Sequence, residues 1–292
     1  MLGPAFLVCV LLLLLSRSLQ KKLRLLISET PALIFIVPAL LDSVFCVTAS
    51  YYDSLTWRLT FLVLLYTCVP TLCIHSQMTR FERRTASWLD LGVILLLWLP
   101  LEFSAGASLV PRSMHGVLHA SAYGVAVTLG VALFVLARQW KGMRYALPRS
   151  FSDVGNFALG YLISVLLLIP LGLWVGFLAH PHWPRMSLGS AAFRILLIFL
   201  GTAFPEEILF RALIQNWLTQ RMQQKWKAVV VSGVVFGAAH LNNAPGPLPN
   251  WRYMAVATIA GLIFGTVFLR STSVLASTSV HAAVNATKYL FF

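Results

Sequence analysis

Glu206 and Glu207 stand side by side in FPEEILFRALIQ (residues 204–215), in a chain with only nine Asp and Glu among 292 residues. Arg211 follows four positions after the second acid, and the rest of the stretch is almost entirely apolar. The sequence predicts a helix from about 205 to 222, opened by Pro205, because a proline's missing N–H costs nothing in the first turn. On that helix Glu207 and Arg211 share a face at i and i+4. Glu206 projects about 100° away, at 3.6 residues per turn, so the two carboxylates have different tasks. A bare carboxylate facing lipid is costly, which leaves a cavity or another helix as the expected surroundings of Glu206.

The same spacing recurs twice downstream, as Phe236 and His240 in FGAAH and as His281 and Asn285 in HAAVN. Depth links the three pairs. Counted from Gln215, Glu206 lies about 14 Å up at 1.5 Å per residue. His240 lies about 18 Å up from Ala228, and His281 about 15 Å up from the turn near Ser271, at the same rise. All three counts start from one side of the membrane, so Glu206, His240 and His281 are expected to converge.

A carboxylate and an imidazole brought together can hold and deprotonate a water molecule. A second imidazole and an amide NH₂ can stabilise the oxyanion of an attacked carbonyl. That set suits amide hydrolysis without a covalent intermediate, and no G-x-S-x-G elbow is present to supply a serine nucleophile. Two other chemistries use the same residue types. Glu206, His240 and His281 are also a His₂Glu zinc set, although H-E-x-x-H is absent. Buried Glu and His also serve proton relays in transporters, which leaves a non-enzymatic transport or immunity protein as a further alternative.

The elements that must position these groups are membrane helices. Charged residues make up 11% of the chain and apolar ones 59%, with a mean hydropathy of +0.81, against about 25% charged in soluble domains. Ten apolar runs recur, at 1–16, 31–50, 59–78, 88–108, 116–137, 157–179, 188–220, 228–243, 252–269 and 273–291, most of them near the ~20 residues a helix needs to cross a bilayer. The first resembles a signal peptide but lacks a positive n-region, so it reads as a span. The expected fold is all-α, a polytopic transmembrane bundle of about 8–10 spans enclosing a polar cavity. The net charge of +13 is a topology signal: alternate connections hold fifteen Lys and Arg against four, the cytoplasmic excess of the positive-inside rule. Nucleic acid is excluded as a partner on that distribution, and the lipid bilayer is the expected one.

Residues 1–150 read as scaffold and 151–292 as the catalytic part. Asp42 and Asp90 lie in or near apolar runs of the first part but lack a polar partner at helical spacing. His115 and His119 share a helix face there and read as interfacial. The cysteines, Cys9, Cys46, Cys68 and Cys73, fall in apolar runs and read as small apolar side chains.

EEILFR, FGAAH and HAAVN together resemble the EExxxR, FxxxH and HxxxN motifs of the CAAX protease and bacteriocin-processing family, intramembrane glutamic-type endopeptidases related to the Ras-converting CAAX endopeptidase. The likeness covers about residues 188–290. It implies that Glu206 and His240 activate water and that His281 and Asn285 form the oxyanion hole. It further implies that Glu207 pairs with Arg211 and that Phe236 packs beside His240. The implied substrate is a membrane-anchored or lipidated peptide or protein cleaved near its C-terminus, with no cofactor. Compact loops and the lack of a retention signal favour a prokaryotic plasma membrane, with the endoplasmic reticulum as the eukaryotic counterpart.

Overall fold

The computed structural model describes residues 2–78, 85–243 and 247–292. Each of the ten apolar runs contains a helix among its described residues, and no strand occurs among the described residues. Among the described residues six helices are long and apolar enough to cross a membrane, or seven if one bent pair counts as a span, so the chain is a multi-pass membrane protein. The run count overshoots this number because some runs give short helices of 14 and 15 residues. Arg80, Arg83 and Arg84, three of the expected cytoplasmic charges, lie outside the described residues.

Two compact units meet in sequence between Met143 and Arg144. The first holds α1 (Leu2–Leu13), α2 (Arg17–Glu29), α3 (Pro31–Tyr51), α4 (Trp57–Met78), α5 (Trp88–Glu102) and α6 (Arg112–Ala137). The bent pair is α1 and α2, at 93°. Both intramembrane acids of this unit have structural partners. Asp42 accepts the Thr67 hydroxyl at 2.9 Å. Asp90 closes a capping box with Ser87 at the start of α5 and also pairs with the buried Arg138 at 2.8 Å. A charge buried this deeply is tolerated only when paired and hydrogen-bonded. His115 and His119 line a cavity of about 400 Å³ in this unit.

The second unit holds α7 (Ser152–Trp174), α8 (Leu188–Met222), α9 (Lys225–Ala238), α10 (Trp251–Arg270) and α11 (Val274–Phe291). Pro205 does not open a helix. It lies inside the 35-residue α8, which corrects the expected start at 205. The helix continues because it widens around the proline, with Phe204 N–H reaching back five residues to the Phe199 carbonyl. A π-type turn relieves the clash and the lost bond that a proline brings to a regular helix. A second widened stretch runs from Ile208 to Gln215. Glu206 and Glu207 therefore sit mid-helix between two π segments, a frequent setting for functional groups.

Helices α9 and α10 meet through glycines spaced four apart, Gly233 and Gly237 on one and Gly261 and Gly265 on the other. A Cβ on Gly261 would lie 3.0 Å from the Gly233 Cα, and one on Gly237 would lie 2.8 Å from the Met254 carbonyl oxygen and overlap the Thr258 hydroxyl. Backbone approach of this kind is how membrane helices associate tightly without a hydrophobic drive between them. Gly261→Val is expected to cost about 1–3 kcal/mol through overpacking, read as a lowered unfolding midpoint of the purified protein in detergent.

The start of α11 is clamped from the other end of the unit. Ser273 caps the helix by accepting Leu275 N–H at 3.1 Å. Arg144 donates to the Leu269 and Ser271 carbonyls, and Asp153 accepts Thr272 N–H at 2.6 Å. Fixing this turn sets the height and rotation of α11, and with them His281 and Asn285.

Candidate active site

Arg211 is fully buried and donates from Nε to Glu207 Oε2 at 3.3 Å. A second nitrogen of Arg211 donates to the Ser232 hydroxyl on α9 at 2.9 Å. The guanidinium also lies 4.9 Å from the Phe236 ring centroid and 6.0 Å from that of Phe264. The i, i+4 pair read from the sequence is therefore present, inside a dry shell of aromatic faces that strengthens it. Ser232 extends the network to the Phe210 carbonyl at 3.2 Å and to Gln215 Oε1 at 3.4 Å. Gln215 in turn donates to the Gly265 carbonyl on α10 at 3.0 Å.

The two carboxylates do not part company as the helical wheel suggests. Both reach the imidazole of His281, one at each nitrogen. Glu207 Oε1 lies 3.1 Å from Nδ1 and Glu206 Oε2 lies 3.7 Å from Nε2. Exposure is what separates them: the Glu207 side chain is 0% exposed and that of Glu206 is 21%. Glu207 is committed to Arg211 and His281, whereas Glu206 keeps a face that water can meet.

His240 is not within α9, which ends at Ala238, but in the turn that follows it. Its Nδ1 lies 2.7 Å from the Phe236 carbonyl oxygen. That carbonyl is one of the last-turn acceptors a helix leaves without an internal donor. A carbonyl only accepts, so Nδ1 carries the proton and Nε2 of the neutral ring is left as the base. This gives the F-x-x-x-H spacing a physical basis, since the histidine caps its own helix and fixes its tautomer in doing so. The Phe236 ring packs 4.7 Å from the His240 ring and 5.6 Å from the His281 ring, so it separates and orients both. Phe264 stacks on the face of His281 at 4.7 Å.

Phe236, His240, His281 and Asn285 all line one cavity of about 70 Å³. At about 10–15 Å³ per water, it has room for several. Glu206, Glu207 and Arg211 join this set through His281 rather than as cavity wall. Among the described residues no three His, Cys, Asp or Glu side chains are grouped so as to hold a metal ion.

The sequence reading passed over Ser232, Tyr253, Phe264 and Lys288. Tyr253 packs edge-on against His240 at 4.5 Å, and Lys288 lines the same cavity. Ser232 was readable in principle, four residues before Phe236 on the same helix face. Lys288 was too, seven after His281. Tyr253 and Phe264 come from α10, whose sequence carries no polar pair to draw attention to it.

The site thus combines two histidines on the wall of one cavity with paired acids that meet the ring of one of them, all on helices of the second unit and the turn after α9. Residues 188–287 match the family model described as Type II CAAX prenyl endopeptidase Rce1-like. All three motifs fall within that segment, so the likeness to the CAAX protease family holds for the part of the chain that carries the site. No curated protein and no solved structure gives a significant match.

Proposed function

We propose that this protein is an intramembrane endopeptidase that cleaves a peptide bond near the C-terminus of a membrane-anchored, prenylated or otherwise lipidated substrate. The observation that carries the reading is the His281 ring held between Glu206 and Glu207, on the cavity that His240 and Asn285 also line. The family description of the matched segment, a prenyl endopeptidase, supports the choice of substrate class.

In this scheme Nε2 of His240 takes one proton of a water as its oxygen attacks the scissile carbonyl, and Glu206, through its exposed face, accepts the other. The oxyanion that forms is met by Asn285 Nδ2–H and by Nε2–H of His281. Glu207 holds Nδ1–H of that ring, which fixes its orientation as a second carboxylate does in other hydrolytic sites. Collapse of the tetrahedral species expels the amine, which takes its proton from His240. Donors aimed at a developing oxyanion in a dry site contribute more than they would in water. No resident metal has a part in this scheme, and we expect cleavage by the purified protein to survive chelator treatment and dialysis. Activity that disappears with chelation and returns with zinc would replace the scheme with a metal-assisted one.

The direct test compares membrane proteomes from cells carrying the wild-type chain and the Glu206→Gln chain. Substrates should appear in the variant as proteins that keep C-terminal residues missing from the wild type. Identical C-termini in the two proteomes would sink the proposal.

A further inference from the structure

Lys288 is a half-buried cation in the wall of the cavity that contains His281 and Asn285. Its ammonium lies 3.9 Å from the Phe177 ring centroid and 4.9 Å from that of Tyr253. These two rings pack on each other at 4.7 Å. The cation is therefore steered by aromatic faces into a fixed place, yet among the described residues it forms no ion pair with a carboxylate. A lysine in the last turn of a helix gains from the helix dipole, but that accounts for neither the aromatic cradle nor the place on the cavity wall. Lysine stems near membrane interfaces usually carry the charge out to water, and this one keeps it beside the site.

Resting on the peptidase reading above, we propose that Lys288 is the receptor for the free C-terminal carboxylate of the substrate. Its place on α11 suits that task. Seven residues separate it from His281, a rise of about 10 Å at 1.5 Å per residue. An extended peptide covers that length in about three residues. With its carboxylate on Lys288, a substrate chain can run down α11 past Asn285 and bring an internal amide to His281. The lysine would then be a specificity residue that makes the enzyme read the chain end, while Tyr253 links the carboxylate subsite to His240. An anionic lipid headgroup offers the same chemistry to an ammonium group, and the experiment must separate the two sources.

The experiment uses the full chain in neutral detergent and a fluorescent prenylated peptide, made once with a free C-terminus and once as its C-terminal amide. Binding is measured in the Glu206→Gln background, so that affinity is read apart from cleavage. The free acid should bind about tenfold or more tightly than the amide, the scale of a charge-assisted contact. Lys288→Met should erase that difference by weakening the acid alone, and Lys288→Arg should keep it. Equal affinity for the two peptides, or binding of neither, overturns the proposal. So does a Lys288→Met variant that retains the preference or weakens both peptides alike, the second being the signature of a structural role. A Lys288→Met variant that keeps the acid preference but binds anionic-lipid vesicles more weakly than its parent would assign Lys288 to the headgroup instead. Cleavage by the chain with Glu206 intact is scored separately, so a failure of the peptidase reading is distinguishable from a failure of the carboxylate subsite.

Discussion

Glu206→Gln and His240→Ala are each expected to lower kcat for a prenylated peptide about a hundred- to ten-thousandfold, the range a positioned general base contributes. Glutamine keeps the shape of Glu206 and can still lie near His281 Nε2, 3.7 Å from the present carboxylate oxygen. It cannot accept a proton at neutral pH, so KM and the unfolding midpoint should stay close to wild type while kcat collapses. Alanine at 240 removes the imidazole whose Nδ1 is held by the Phe236 carbonyl, and with it the Nε2 base. If the two groups act on one water, the double variant should be hardly worse than either single one, since groups that work as a unit are far from additive. His281→Ala and Asn285→Ala remove oxyanion donors and should each cost about a hundred- to a thousandfold. The measurement is steady-state cleavage by purified protein in detergent, with circular dichroism to confirm folding. A Glu206→Gln enzyme within tenfold of wild type would exclude the carboxylate from water activation.

Much of this was legible in the residues. The apolar runs became helices because composition leaves a chain in lipid little choice: every backbone N–H and C=O must be satisfied within its own segment. The Glu207–Arg211 pair followed from i, i+4 geometry, and the two later motifs placed Phe236, His281 and Asn285 on one cavity. What spacing could not give was whatever depends on departures from an ideal helix. Pro205 reads as a helix start by local rule, yet the π turn before it lets α8 run through. The 100° separation of Glu206 from Glu207 assumes a regular helix and a partner on one side only. In the folded chain one imidazole on α11 is broad enough to meet both carboxylates, a relation between helices distant in sequence. His240 sits just past the end of its helix, where a backbone acceptor fixes its tautomer, and capping geometry of that kind is not visible at the resolution of a spacing pattern. Lys288 escaped notice because a lysine near the end of a membrane helix ordinarily has an interfacial explanation.

Arg211→Ala is expected to destabilise the protein by about 3–5 kcal/mol, the cost of stripping one partner from a buried ion pair. The residue is 0% exposed, and so is the Glu207 carboxylate it faces. Removing the guanidinium leaves that carboxylate with His281 Nδ1 at 3.1 Å and the Ser277 side chain as partners and opens a gap beside Phe236 and Phe264. Lysine should not rescue, because a single ammonium cannot serve Glu207 and Ser232 from the planar fork that Arg211 uses. The double variant Glu207→Leu, Arg211→Leu provides the control. With both charges gone the desolvation penalty goes as well, so its unfolding midpoint should return most of the way to wild type. Its activity should not return, because His281 loses the carboxylate that orients its ring. Stability recovered without activity would mark Glu207 and Arg211 as groups kept for positioning His281 and not for holding α8 in the fold. A double variant as unstable as Arg211→Ala would instead make the pair a structural element of α8 and α9, linked through Ser232. Recovery of both stability and activity would show that His281 finds its orientation without Glu207, from the stacking of Phe264 and the edge of Phe236 alone.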